Sequence, residues 1–274
     1  MDKIYEVYLI SDSTGETLDR IFLALKAQFS NFKCKHHQYA FARTENQIIK
    51  ILETCKKNKN SILLYTIVDT RLSQFLITKS KEAKIPCFGV LGDLILGFSK
   101  LLNQKASRIP SGQHVLDADY YKRIEAIQFT LSHDDGKATS DIEKSDIILL
   151  GISRTSKTPT SIYLANRGYK TCNIPIINNN SIPKKLFKNP ETLCVVGLTA
   201  EPLRLLDIRK NRMNFMNEKR PNSYTDIEKI KLELEVAKKI FKKNNWPIID
   251  ITRKAVEETA ASVIKIYDII HSKL

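Results

Sequence analysis

One loop combines the residue types that bind a nucleotide phosphate. Its residues follow a buried-type strand and precede a helix, and they are Gly151, Ile152, Ser153, Arg154, Thr155, Ser156, Lys157 and Thr158. Their order matches the phosphate-loop spacing G-x-x-x-x-G-K-[ST] at every position but one. Backbone N–H groups at a helix start attract phosphate oxygens, and the helix dipole favours their negative charge. Loop 151–158 is therefore the primary candidate for a nucleotide site.

The polar side chains of this loop have separate expected roles. Lys157 would neutralise phosphate oxygens, and the hydroxyl of Thr158 would hold Mg²⁺. Arg154 adds a second cation inside the loop. Ser156 stands where the motif has glycine, so its side chain could crowd the loop and change the hold on phosphate. The alternative interpretation is a chance polar turn between a strand and a helix.

Carboxylates form the next candidates. Residues 133–136 place Asp134 and Asp135 beside His133, an arrangement that could hold Mg²⁺ or accept a hydroxyl proton, although Asp-Gly is also an ordinary turn signal. Asp250 ends an apolar segment, where it could orient Mg²⁺ or cap the segment that follows. The proton acceptor stays open among Asp134, Asp135 and Asp250.

Two further segments could bind anions. Residues 11–17 form a hydroxyl-rich loop between a predicted strand and a predicted helix, so they could bind an anion or simply cap the helix. A basic segment carries Arg204, Arg209 and Arg212, which could clamp phosphate or form a solvated helix face.

Alternating strands and helices must position these loops. Apolar runs and helical spacing predict strands at 4–10, 61–67 and 86–91 and a helix over 17–29. The pattern restarts after a charged turn near residue 137, with strands at 146–150, 173–177, 193–198 and 246–251 and helices over 159–167, 202–213, 225–244 and 255–271. Pro175 favours a sheet edge or a strand end. We expect two α/β domains, 1–140 and 141–274, with a mostly parallel sheet.

Composition excludes several classes of protein. The 274 residues are 42% hydrophobic, and no apolar run approaches the roughly 20 residues that span a bilayer, so we expect a soluble cytoplasmic protein with no membrane partner. Five widely spaced cysteines favour reduced thiols over disulfides or zinc. The net charge of +14 comes from basic residues spread along the chain without interleaved aromatics, which favours a solvated basic surface over nucleic-acid binding.

Several of these segments together resemble the family of pyruvate, phosphate dikinase regulatory proteins, which is closely related to the regulators of phosphoenolpyruvate synthase. The matching stretches occur in order along nearly the whole chain, at residues 11–17, 113–117, 133–136, 151–171, 197–199, 249–252 and 257–261. In this family Ser156 is the usual form of the loop. The pair Thr155-Ser156 is similar to the dikinase branch of the family.

The resemblance implies a bifunctional serine/threonine kinase and phosphorylase, and also a homodimer. One activity would move the β-phosphoryl of ADP onto a threonine of pyruvate, phosphate dikinase and inactivate it. The other would use inorganic phosphate to remove that phosphoryl as pyrophosphate. The implied fold is an amino-terminal α/β (Rossmann-like) half packed on a carboxy-terminal P-loop kinase-like α/β half. We expect Lys157, Asp135, His133 and Asp250 to be catalytic, loop 151–158 to bind ADP, and Thr158 to bind Mg²⁺.

The residues alone support less than the resemblance does. They indicate only an α/β protein with a phosphate-loop nucleotide site. A P-loop kinase of a small metabolite and a regulator of phosphoenolpyruvate synthase therefore remain alternative functions.

Overall fold

The computed structural model describes residues 3–112, 117–136, 141–177, 181–187, 193–215 and 223–272. Contacts divide the chain into two compact units, Met1–Val115 and Leu116–Leu274. Both units are α/β with parallel strands. Segment 113–116, which belongs to one of the stretches behind the family resemblance, lies outside the described residues.

The first unit is built on a four-stranded parallel sheet in the order β2-β1-β3-β4. Its strands are β1 (Tyr5–Ser11), β2 (Cys34–Tyr39), β3 (Ser61–Thr66) and β4 (Cys87–Gly89). Its helices are α1 (Glu16–Lys26), α2 (Glu45–Lys56), α3 (Thr70–Glu82) and α4 (Gly92–Leu101).

The two faces of this sheet are covered unequally. On one face, sheet residues such as Tyr8 and Leu63 form a core with the buried side chains of α2 and α3. On the other face, Val7 and Leu64 pack with Phe22 of α1 in a smaller core. Helix α4 buries none of its side chains. Among the described residues of this unit, α1 is the helix whose buried side chains pack on that face.

The second unit repeats the strand order, with β6-β5-β7-β8 all parallel. Its strands are β5 (Ile147–Gly151), β6 (Thr171–Pro175), β7 (Cys194–Thr199) and β8 (Ile248–Asp250). Its helices are α5 (Ala118–Ser132), α6 (Lys157–Ala165), α7 (Pro202–Phe215), α8 (Ile227–Lys243) and α9 (Val256–His271). Every residue of β5 is buried, because β5 lies between β6 and β7.

The strand order places loop 151–158 at a position where ligands commonly bind. The chain leaves β5 for β6 on one side, and β7 lies on the other side. Ligands of open parallel sheets bind beyond the carboxyl ends of the strands, at the point where the strand order reverses. Loop 151–158 leaves the carboxyl end of β5 at this point.

The boundary between the two units lies between Val115 and Leu116, which is earlier in the chain than the predicted boundary between residues 140 and 141. Helix α5 packs against α6 and β6, so it belongs to the second unit even though it precedes the charged turn. The prediction for Pro175 is confirmed, since it is the last residue of the edge strand β6. Within the described residues, no helix is long and apolar enough to cross a membrane.

Candidate functional site

The candidate loop begins with a glycine that no other residue could replace without displacing its neighbours. A Cβ on Gly151 would lie 2.5 Å from the Thr155 hydroxyl oxygen and 2.8 Å from the Leu198 carbonyl oxygen. Thr155 is fully buried, and its hydroxyl donates to the Ile152 carbonyl at 2.9 Å. The loop therefore folds tightly over the end of β5, and its first half is held by its own hydrogen bonds.

Three residues around this loop adopt left-handed backbone conformations that favour glycine. Arg154 has φ 72°, and Ser156, the N-cap of α6, has φ 53°. Asp135 in the turn Asp134–Gly136 has φ 54°. Such conformations cost an L-residue about 1–2 kcal/mol each, and they concentrate at functional sites. Ser156 thus keeps the backbone shape of the missing glycine despite its side chain.

These three residues line one cavity of about 340 Å³ at the carboxyl edge of the second sheet. The cavity brings together cations, a carboxylate and hydroxyls with a few apolar side chains. Its lining residues are Asp135, Ser153, Arg154, Ser156, Lys157, Thr158, Pro159, Pro175 and Ile208. The structure therefore places Asp135 beside loop 151–158.

Lys157 is the buried cation of the cavity. Its side chain is 5% exposed, and its ammonium donates to the Ile152 carbonyl at 3.0 Å. Burial lowers the pKa of Lys157 to about 8, while the carboxylates of Asp135 and Asp134 oppose that shift. An ammonium has three donors, so a bond to Ile152 leaves others for phosphate oxygens. A phosphate beside Lys157 would favour its charged form.

A hydrogen-bond network connects the end of the loop to the acidic turn. The Thr158 hydroxyl donates to Asp134 Oδ1 at 3.0 Å, and the amide of Asn173 donates to the same oxygen. The side-chain oxygen of Asn173 accepts the backbone N–H of Asp135 at 3.1 Å. Asn173 in β6 therefore positions both acids, which the sequence analysis did not predict. The available signal was a polar residue inside an otherwise buried strand.

This network separates the roles of the two acids. Asp134 is engaged by Thr158 and Asn173, whereas the exposed Asp135 lines the cavity. The oxygens of Thr158 and Asp134 are the ligand types that Mg²⁺ prefers, and Mg²⁺ usually keeps several waters. The pair fits such an ion, although no group of three or more His, Cys, Asp or Glu suited to a metal occurs among the described residues.

His133 lies in the core next to this turn and is absent from the cavity lining. Its Nδ1 lies 2.7 Å from the Phe129 carbonyl oxygen, and its Nε2 lies 2.9 Å from Asp141 Oδ1. This hydrogen bond to His133 holds the pKa of the Asp141 carboxyl below its ordinary value. The ring of His133 thus links α5 to Asp141, which follows the acidic turn in the chain.

Asp250 occupies the end of β8, two strands from β5, and does not line the cavity. Its carboxylate accepts the backbone N–H of Thr252 at 2.8 Å. Burial raises the pKa of Asp250, and hydrogen bonds from Thr252 lower it. The lowering effects together exceed the effect of burial, so the pKa of Asp250 lies below its ordinary value. The structure therefore brings Asp135 to the loop but leaves Asp250 on its own turn.

The position of Arg209 matches neither interpretation of the basic segment, which were an exposed phosphate clamp and a solvated helix face. Its side chain is fully buried, whereas Arg204 and Arg212 are exposed. Its guanidinium pairs with Glu233 of α8 at 2.7 Å and donates to the Ser153 carbonyl at 3.2 Å. Arg209 therefore supports loop 151–158 from the protein interior and is not part of an exposed basic helix face.

Tyr224 also contacts loop 151–158, and it contacts Arg209 as well. Its carbonyl accepts from Arg209 at 3.2 Å, and its ring lies 4.7 Å from the guanidinium carbon. Its hydroxyl oxygen accepts from Arg154 Nε at 3.0 Å and lies 3.2 Å from Ser153 Oγ. Tyr224 thus orients Arg154 at the cavity, a role for which the sequence carries no local signal.

Loop 11–17 lies in the first unit and lines a smaller cavity of about 160 Å³. Asp12 is buried there, and its carboxylate accepts the backbone N–H of Val68 at 2.8 Å. Burial raises the pKa of Asp12. Gly15, with φ 84°, is the N-cap of α1, and no side chain caps this helix, so the alternative interpretation of loop 11–17 as a side-chain capping device is not supported.

The comparisons with known proteins agree on one family. A profile of the family described as Kinase/pyrophosphorylase matches residues 7–264. A protein of Pelagibacter ubique, named "Putative pyruvate, phosphate dikinase regulatory protein", is 66% identical over 269 residues, which cover 98% of each chain. Proteins of the same name from Sphingopyxis alaskensis and Rhizobium meliloti are 45% and 42% identical, with coverage of 96% and 95% of each chain. The chain belongs to the Kinase/pyrophosphorylase family.

Proposed function

We propose that this protein regulates pyruvate, phosphate dikinase by reversible phosphorylation of a threonine, with ADP as donor and inorganic phosphate as the acceptor in the reverse reaction. The observation that carries the proposal is the cavity in which Lys157, Thr158 and Asp135 meet on a phosphate-loop sequence. The names of the relatives and the family description support the regulatory role and the partner.

The cationic side of the cavity would hold the phosphates. Lys157 and Arg154 supply positive charge, and α6 begins at Lys157 beside the cavity, so its helix dipole favours negative charge there. Phosphoryl transfer depends mainly on positioning and on neutralising charge. One cradle could therefore bind ADP in the forward direction and phosphate or pyrophosphate in the reverse direction.

Asp135 is the proposed proton acceptor. It lines the cavity, whereas Asp134 already accepts bonds from Thr158 and Asn173. In the forward reaction the threonine oxygen forms a bond to the β-phosphorus of ADP, the bond from that phosphorus to the bridging oxygen breaks, and AMP leaves. The hydroxyl proton passes to Asp135. Mg²⁺ at Thr158 and Asp134 would add charge neutralisation at the phosphates.

The reverse reaction uses the same groups. An oxygen of inorganic phosphate attacks the phosphothreonine phosphorus, the bond to the threonine oxygen breaks, and pyrophosphate forms. The threonine oxygen takes a proton back, which Asp135 can return. Hydrolysis by water would instead give free phosphate, so the product distinguishes phosphorolysis from a phosphatase reaction.

The test is a panel of acceptors. The purified protein is incubated with ADP and either pyruvate, phosphate dikinase, phosphoenolpyruvate synthase or a set of small metabolites, and the products are read by mass spectrometry. We expect a phosphothreonine on the dikinase alone. Modification of the synthase alone would make this chain a synthase regulator, and phosphorylated metabolites alone would make it a metabolite kinase.

A further inference from the structure

The cavity beside loop 11–17 lies at the carboxyl edge of the sheet in the first unit. Ser11 ends β1 and Thr66 ends β3, and both residues line this cavity. The chain leaves β1 for β2 on one side, while β3 lies on the other side, so the strand order reverses here and ligands commonly bind at such a point. The volume of about 160 Å³ is smaller than the roughly 300 Å³ or more of sites for drug-sized ligands, and it suits a single small ion or group.

Hydroxyl groups and a helix start supply hydrogen-bond donors to this cavity. Helix α1 begins there after Gly15, and no side chain caps its first N–H groups, which together with the helix dipole favour an anion. The guanidinium of Arg43 donates to the Asp12 carbonyl at 2.8 Å and to the Ser111 hydroxyl at 3.4 Å, so a cation lies beside the cavity. Six lining residues carry a hydroxyl group, and they are Ser11, Ser13, Thr14, Thr17, Thr66 and Ser111.

The hydroxyl of Ser11 has a proton to donate into this cavity. Ser11 is 3% exposed, and its oxygen accepts the backbone N–H of Ser13 at 3.1 Å and the hydroxyl of Thr66 at 3.1 Å. Within the part of the chain that the structure describes, the O–H of Ser11 donates to no acceptor. A buried donor without an acceptor costs free energy, so a ligand oxygen in the cavity would stabilise this arrangement.

Asp12 supplies the opposite kind of group, a buried acceptor. Its side chain lines the cavity, and its Oδ2 accepts the backbone N–H of Val68 at 2.8 Å. A carboxylate has about four acceptor sites, so this bond leaves capacity for another donor. A carboxylate repels an anion that has no proton, but it accepts a hydrogen bond from an anion that carries one. Burial raises the pKa of Asp12, so this carboxyl can also hold the shared proton itself.

We propose that this cavity binds one phosphate group through the Ser11 hydroxyl and the start of α1, and that Asp12 selects phosphate by sharing a proton with it. A phosphate group loses its second proton with a pKa of about 6, so a proton is available for sharing near neutral pH. Sulfate has the same tetrahedral shape but carries no proton at that pH. The ligand is inorganic phosphate or a phosphate monoester, and the proposal is independent of the proposed function of the second unit.

The test reads the first unit separately from the second. The chain has nine glycines, and Thr14-Gly15 is its only Thr-Gly pair. Threonine labelled at the carbonyl carbon, combined with glycine labelled at nitrogen, therefore gives the Gly15 amide a resonance of its own in a carbon-filtered NMR spectrum. Gly15 is the N-cap of α1 and lines the cavity, so a bound ion should shift this resonance. Inorganic phosphate, glycerol phosphate and sulfate are titrated at equal ionic strength.

Two variants test the role of Asp12. Asp12→Asn keeps an oxygen for the Val68 N–H and adds an amide donor, so it should fold, as a circular dichroism melt would show. Glu16→Gln is the matched control, because it removes an exposed carboxylate from the same cavity.

The wild type and Glu16→Gln should bind phosphate at least about tenfold more tightly than sulfate, because a hydrogen bond to a charged group is worth at least that factor. Asp12→Asn should bind phosphate and sulfate with nearly equal affinity. The wild-type comparison needs no variant, so it tests the selectivity even if Asp12→Asn does not fold. The phosphate compound that shifts Gly15 at the lower concentration identifies the ligand as the free ion or a monoester.

Three results would overturn the proposal. Absence of a saturable Gly15 shift with millimolar inorganic phosphate and with millimolar glycerol phosphate would exclude the site. Equal binding of sulfate and phosphate by the wild type, or a preference that survives in a folded Asp12→Asn, would exclude proton sharing by Asp12. Loss of the preference in Glu16→Gln would show that the net charge of the cavity, rather than Asp12, selects the ion.

Discussion

The buried ammonium of Lys157 should make both the stability of the protein and its affinity for ADP depend on pH. The pKa of about 8, against an ordinary 10.5, means that burial favours the neutral amine by about 3 kcal/mol. Below pH 8 the folded protein carries the full cost of the buried charge. Between pH 8 and pH 10.5 the folded state has lost a proton that the unfolded state keeps, so this group makes stability rise with pH.

Binding of ADP should show the opposite trend over the same range. The phosphates favour the charged ammonium, so above pH 8 binding must be accompanied by uptake of a proton. The affinity of the wild type for ADP should therefore fall by up to about tenfold per pH unit above pH 8. Lys157→Met removes the titrating group and keeps the length of the side chain, so its weaker ADP affinity should vary less with pH.

The assay compares the two proteins directly. Titration calorimetry in buffers with different ionisation enthalpies counts the protons taken up with ADP, and urea unfolding measures stability over the same pH values. The difference between wild type and Lys157→Met cancels the other groups that titrate in this range. Equal pH profiles for ADP affinity in the two proteins would refute the assignment of Lys157 to the phosphate site.

Three further substitutions test other parts of the site. Asp135→Asn should lower the rate of phosphoryl transfer roughly a hundredfold, because a general base typically contributes at least that much. The affinity for ADP should be nearly unchanged. A loss of rate below about twofold would show that the turn has only a structural role. Ser156→Gly should raise the free energy of unfolding by up to about 1 kcal/mol in urea titrations, since φ 53° favours glycine; a lower stability would contradict this. Arg209→Met should lower the free energy of unfolding by about 3 kcal/mol, because it leaves Glu233 without its partner. The double variant Arg209→Met, Glu233→Leu should regain much of that stability. If the effects of the two substitutions simply add, the two side chains are not coupled.

The positions of β5 and β7 in the second unit were predictable because both strands are buried along their whole length and are mostly apolar. Strand β2 was missed because Cys34–Tyr39 has the sequence CKHHQY and occupies the edge of its sheet, where exposed polar side chains replace the apolar signal. Helix α4 was missed as well, and none of its side chains is buried.

In the site as well, features built from residues close together in the chain were predictable, whereas contacts between distant residues were not. Loop 151–158 could be selected from residue types and spacing, because a phosphate site needs a strand, a turn and a helix that are continuous in the chain. The sequence left the proton acceptor open among Asp134, Asp135 and Asp250. Arg209 could not be placed, since its partner Glu233 lies 24 residues away on another helix. The same holds for Tyr224, which meets Arg154 from 70 residues away.

The central claim is that one site transfers a phosphoryl group from ADP to pyruvate, phosphate dikinase and returns it to inorganic phosphate. The most direct measurement follows ADP labelled at its β-phosphorus, free of adenylate kinase, onto the dikinase and then into the product released on adding unlabelled phosphate. We predict label on a dikinase threonine, recovery of that label in pyrophosphate, and loss of both steps in Lys157→Met. Equal labelling from γ-labelled ATP, release of label as free phosphate, or a reverse reaction that survives in Lys157→Met would contradict the claim.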